Sequence, residues 1–130
     1  LSFQQNKCTG YFGNGYTFYP SIQFNCPQIS KEPYPPKPNN FNDACLDYLA
    51  YYPSCQTANI PPQSLTHECQ EFILKEANYG RCVDQHKNDA DFYTKKWHVY
   101  LNRTQSLWKD RRETIELRDS QDRVVDRISY

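Results

Sequence analysis

The 130-residue chain has no methionine and few aliphatic residues, which excludes a core built mainly of aliphatic side chains. Apolar residues make up 38% of it, against about 45–50% in an average globular chain. No stretch approaches the roughly 20 apolar residues needed to span a bilayer. Fifteen basic and fifteen acidic residues cancel to zero net charge, which leaves nucleic-acid binding through a basic surface without support. The short basic pairs Lys95-Lys96 and Arg111-Arg112 have Asp91, Asp110 and Glu113 nearby and read as solvated faces. No two cysteines have the C-x-x-C spacing of redox and zinc sites. The Gly-x-Ser-x-Gly nucleophile motif and the ordered acidic spacing of a calcium loop are also missing. No signal-peptide pattern is visible and the first residue is Leu1, so a mature product or a fragment of a longer protein is expected.

What is present is aromatic and cysteine-rich. Two Trp, eleven Tyr and seven Phe supply most of the large apolar side chains, and each buried ring removes about 150–250 Å² from water. A small aromatic core gains from covalent support. The six cysteines Cys8, Cys26, Cys45, Cys55, Cys69 and Cys82 provide it, since an even, scattered set is the pattern of an oxidising compartment. Location outside the cytoplasm, secreted or on a cell surface, is therefore expected. The sequon Asn102-Arg103-Thr104 would permit N-glycosylation in a eukaryotic secretory protein and adds little to this.

Along the chain, residues 1–30 read as β-strands, with Gly13-Asn14-Gly15 as a hairpin turn between aromatic runs and Ser21-Ile22-Gln23-Phe24 as a half-buried strand. A Cys8–Cys26 bridge would staple that hairpin. Residues 31–41 form a proline-rich linker; Pro35 and Pro38 also make a P-x-x-P match, for which a stiff spacer is the simpler reading. Residues 42–88 read as a cysteine-containing helical insert. Asn42 or Asp43 caps a helix with Cys45, Leu49 and Tyr52 on one face, stopped by Pro53. Ser64 or Thr66 opens a second, with Glu68 early in it and Cys69, Phe72, Ile73 and Ala77 aligned. Asn78-Tyr79-Gly80 supplies a stop, and a short helix through Cys82, Val83 and His86 follows. The insert's four cysteines allow three pairings; two antiparallel helices would favour Cys45–Cys82 with Cys55–Cys69. Residues 89–130 return to strands. Trp97, Val99 and Leu101 alternate against His98 and Tyr100, and Thr114–Arg118, the turn Asp119–Asp122 and Arg123–Tyr130 make a terminal hairpin with Ile115 and Leu117 inward.

The segment from Trp97 to Tyr130 resembles the C-terminal strands of the lamin-tail-like domain of bacterial surface and secreted proteins. The matching residues are Leu107-Trp108, Glu113-Thr114-Ile115-Glu116-Leu117-Arg118-Asp119, Val124-Val125-Asp126 and Ser129-Tyr130. The stretch Asn78 to Leu101, with Cys82-Val83, His86-Lys87-Asn88-Asp89, Asp91-Phe92 and Trp97, resembles an insertion of some members. Asp122 stands where the family has a turn glycine, and the family's early strands are not in this chain. The resemblance implies an immunoglobulin-like β-sandwich, here partial and completed by a parent protein, with a binding or scaffolding role and no catalytic residues.

Competing readings attach to specific residues. Cys69, Cys82 and His86 have a C-x12-C-x3-H spacing, but zinc sites usually add a tight cysteine pair. His86-Lys87-Asn88-Asp89 suggests a nuclease only loosely; a capped polar helix end explains it. Asp119 and Asp122 suit turn chemistry, and Asp126 a structural role. Tyr11, Tyr16, Tyr51, Tyr52 and Trp108 are the candidate ligand-facing aromatics, with core packing as the competing reading. The expected architecture is thus α+β: one domain or domain fragment over 1–130, with immunoglobulin-like strands from both chain ends around a disulfide-bonded helical insert. The expected function is a non-catalytic structural or interaction module without cofactor or metal, its partner a protein or glycan surface. A glycan- or peptide-binding module is the alternative, and a metal-dependent hydrolase a third reading.

Overall fold

A computed structural model describes residues 2–130 and resolves an α+β chain with three helices, two small antiparallel sheets and three disulfides. It divides into a unit through residue 99 and a second unit, Tyr100–Tyr130.

In the first unit, α1 (Asp43–Ala50), α2 (His67–Glu76) and α3 (Tyr79–His86) are each opened by a side chain that accepts from a backbone N–H three residues on. Asn42 accepts from Cys45, Thr66 from Cys69 and Asn78 from Arg81. Such caps satisfy donors that the first turn of a helix leaves unpaired. Asn78, expected to end α2, instead starts α3. Cys45, Leu49 and Tyr52 of α1 and the following turn meet Cys69, Phe72, Ile73 and Ala77 of α2 in one core, as the i, i+3, i+4 spacing predicts. The stretch 31–41 is tied to α2. Tyr34 and Phe41 pack on Phe72, the Asn40 N–H donates to Glu68 at 2.8 Å, and the Thr66 hydroxyl donates to the Asn40 carbonyl.

All three bridges differ from the expected pairings: Cys8–Cys82, Cys26–Cys55 and Cys45–Cys69. Cys45 and Cys69 hold the same position in the first turns of their helices, and the packing of α1 on α2 brings them together. Cys55 lies past the end of α1 with φ of 61° and turns to the 22–26 segment rather than to α2.

The N-terminal hairpin is also corrected. Residues Thr9–Gly13 form a 3₁₀ turn, and no strand forms at 21–24. The side chain of Asn14, expected to shape a β-turn, donates to the carbonyls of Tyr11 at 2.9 Å and Cys55 at 2.6 Å. Gly10 lies on the Cys26–Cys55 bridge; a Cβ there would sit 2.2 Å from Cys55 Sγ. The second core cluster consists of Cys8, Tyr11, Cys26, Cys55, Cys82 and Phe92, four half-cystines and two rings, with Tyr79 and Val83 packed against it.

Strand β1 (Phe3–Asn6) pairs antiparallel with β2 (Tyr93–His98). The strand expected from the alternation forms through His98, with Trp97 63% exposed and His98 5%. His98 stacks on Phe3 at 5.2 Å and lies 2.7 Å from the Gln5 amide, so a polar pair occupies the inner face. Val99 and Leu101 fall beyond the strand.

In the second unit, β3 (Thr114–Arg118) and β4 (Val124–Ser129) form the expected terminal hairpin. Asp119 accepts from the N–H groups of Gln121 and Arg123, and Asp122 takes φ of 62°. Asp126 is exposed and accepts from the Arg127 N–H.

Two outcomes check the cystine core. Replacing Cys8 and Cys82 together with Ser should destabilise the first unit by about 2–5 kcal/mol in urea unfolding; an unchanged midpoint would show that its core does not depend on the bridge. Gly10→Ala should cost about 1–3 kcal/mol by overpacking, read as a lower Tm.

Candidate functional site

The C-terminal end of α1 builds a groove. Pro53 prevents continuation of the helix, and the chain returns through Pro61-Pro62 to the turn before α2. Just past the end of α1, Tyr52 turns into the core while Tyr51 stays 88% exposed. The cavity between these segments is about 460 Å³, walled by Tyr48, Tyr51, Tyr52, Pro53, Pro62 and Leu65, with Ala44, Asp47 and Ser64 at its margins. A second depression of about 270 Å³ shares Tyr48 and Tyr52 and runs on past Gln56, Asn59 and Ile60. The Tyr52 hydroxyl donates to the Gln56 carbonyl at 3.3 Å, and burial, then the nearby Tyr48, raises its pKa.

Of the five candidate aromatics, the groove gathers Tyr51 and Tyr52. Tyr11 is not ligand-facing: it is 5% exposed, inside the cystine cluster, and burial pushes its pKa up to about 12. Tyr16 is exposed but lines neither depression, and Trp108 belongs to the second unit. Tyr48 is the wall residue that sequence reasoning missed; its spacing of three from Tyr51 on a helix places both on one face.

The other concentration of polar chemistry surrounds α3. His86 Nδ1 lies 2.9 Å from Asp89 and Nε2 3.0 Å from Glu32, so a carboxylate faces each ring nitrogen. Lys7 bridges Asp89 at 2.8 Å and Asp91 at 2.5 Å. Glu76, 3% exposed, accepts from Arg81 and Gln85, both at 2.9 Å. Burial pulls the His86 pKa down, but the hydrogen bonds and charges of Glu32 and Asp89 prevail and hold it above its ordinary value. A doubly hydrogen-bonded imidazolium donates from both nitrogens and offers no lone pair to a proton or metal. The histidine and acids that a hydrolase would need do converge, but as an ion-pair clamp joining residue 32 to the end of α3. Cys69 and Cys82 are in disulfides and are not thiolate ligands. Among the described residues no group of three His, Cys, Asp or Glu side chains is arranged to hold a metal.

Comparison with known protein families, curated proteins and solved structures finds no match to this chain.

Because its folded pKa is raised, the His86 clamp contributes fully below the unfolded value of about 6.5 and is lost as pH rises through the folded pKa. The wild-type protein should therefore lose stability between about pH 6 and about pH 9 by more than a His86→Gln variant does. Denaturant midpoints of both proteins at the two pH values measure this, and parallel losses would show that the clamp carries no pH-dependent stability.

Proposed function

We propose that this chain is a non-catalytic interaction module of an extracytoplasmic protein, and that it docks its partner in the tyrosine-walled groove between α1 and the 53–65 loop. The observation that carries the reading is the groove itself. Its volume of about 460 Å³ lies in the range of ligand clefts, and its walls are aromatic rings and prolines, which have few rotatable bonds to be ordered on binding. Extended peptides and glycans are the ligand classes that such walls accommodate. The three disulfides support an oxidising compartment, and among the described residues no helix is long and apolar enough to cross a membrane.

For the second unit we propose a lamin-tail-like role as a scaffold strand pair. Asp122 supplies the left-handed turn conformation that the family gives to glycine. The hairpin is two-sided in its chemistry. Thr114, Glu116 and Arg118 pair with Ser129, Arg127 and Val124 on one face, where Arg118 and Arg127 both bridge Glu116. Ile115, Leu117 and Ile128 occupy the other face, with Asp126 opposite Leu117. In an immunoglobulin-like sandwich this mainly apolar face is the one packed on the opposing sheet.

Titrating the isotope-labelled chain with a panel of extended peptides and oligosaccharides tests the docking reading. Saturable amide shifts confined to residues 44–65 are expected from at least one class. Shifts confined to other surfaces, or none from either class, would overturn it.

A further inference from the structure

We infer that the groove selects a proline-rich peptide in the extended polyproline II conformation carrying one basic side chain, a deepening that rests on the docking reading above. Four observations converge. The walls are rings and prolines, Tyr48, Tyr51, Pro53 and Pro62, and proline-rich segments dock in aromatic-lined grooves because both surfaces are already ordered. The exposed phenols carry unused donors. The Tyr48 and Tyr51 hydroxyls make no hydrogen bond among the described residues, whereas Tyr52 is used internally. Polyproline II has no internal hydrogen bonds, and proline has carbonyls but no N–H, so such a ligand presents the acceptors that these phenols lack.

Charge is the third observation. Asp47 lines the groove and Asp43 lies one turn before it on α1; neither forms an ion pair among the described residues, and no cation lines the cleft. A lysine or arginine on the ligand completes that pair, and complementarity of this kind fixes register more than it adds affinity. Length is the fourth. The second depression shares Tyr48 and Tyr52 with the first, and a ligand that reaches both is an extended one rather than a single sugar ring.

The test uses the whole labelled chain and three probes: an oligoproline peptide with one central lysine, the same peptide with glutamine in that place, and chitotetraose. The lysine peptide should shift amides of residues 44–65 saturably and more tightly than the glutamine peptide. Tyr51→Ala should weaken it about tenfold, and Asp47→Asn should bring the lysine-to-glutamine affinity ratio to about one. Both substituted positions are exposed, and unchanged spectra elsewhere verify that the variants fold. Shifts from chitotetraose alone would overturn the peptide assignment and leave the docking reading standing; silence from every probe would overturn both. A preference for lysine that survives Asp47→Asn would overturn the charge assignment. Groove shifts that grow with protein concentration alone would assign the groove to a second copy, whose exposed Pro36-Lys37-Pro38 has the same chemistry, and would overturn a separate partner.

Discussion

The bridge pairs Cys8–Cys82 and Cys26–Cys55 are the constraint on which the first unit depends. A core needs apolar volume that excludes water, and this chain has little aliphatic volume to give. Around Tyr11 and Phe92, four half-cystines supply that volume themselves. The same sulfurs hold together segments far apart in sequence, with partners 74 and 29 residues apart. Packing and covalent restraint are thus one feature, and reduction would remove both at once. Gly10 follows from it, because only a residue without a Cβ leaves room for the Cys26–Cys55 bridge.

From the cystines the order passes to the helices through their caps. Asn42 and Thr66 each fix a cysteine in the first turn of a helix, so the capping hydrogen bond and the Cys45–Cys69 bridge set the rotation of α1 and α2 together. Once the rotation of α1 is set, so is its far end: Leu49 and Tyr52 point inward, while Tyr48 and Tyr51 stand at the groove.

What was legible in the sequence followed local rules. Helix faces, the caps at Asn42 and Thr66, and the hairpin from Thr114 to Ser129 depend on spacing and on nearby hydrogen bonds. What was not legible depended on partners distant in sequence. Gly13-Asn14-Gly15 has the composition of a hairpin turn, but Asn14 is drawn to the Cys55 carbonyl, 41 residues away. The alternation of Trp97 against His98 does not say which of them turns inward; that is decided by Phe3 and Gln5, which offer His98 a stacking face and a hydrogen bond. Half of the groove was visible as Tyr51 and Tyr52. Its other wall comes from the return of Pro61-Pro62, a tertiary fact that no local spacing encodes.

The two units solve the shortage of aliphatic residues in opposite ways. The first unit buries its six half-cystines and some of its rings in two clusters. The second buries no residue completely and relies on cross-strand pairs, with Glu116 held by two arginines and Asp119 tying its own turn. Exposed ion pairs contribute little each, and an isolated two-stranded hairpin is marginal in water. A precise docking surface needs walls that do not move when a ligand arrives, because every side chain ordered on binding subtracts from affinity. In the first unit α1 is anchored at its start by a cap and a bridge, and Leu49 and Tyr52 are buried beneath the groove. The same chain that places cystines in its core thus sets an aromatic groove where α1 ends.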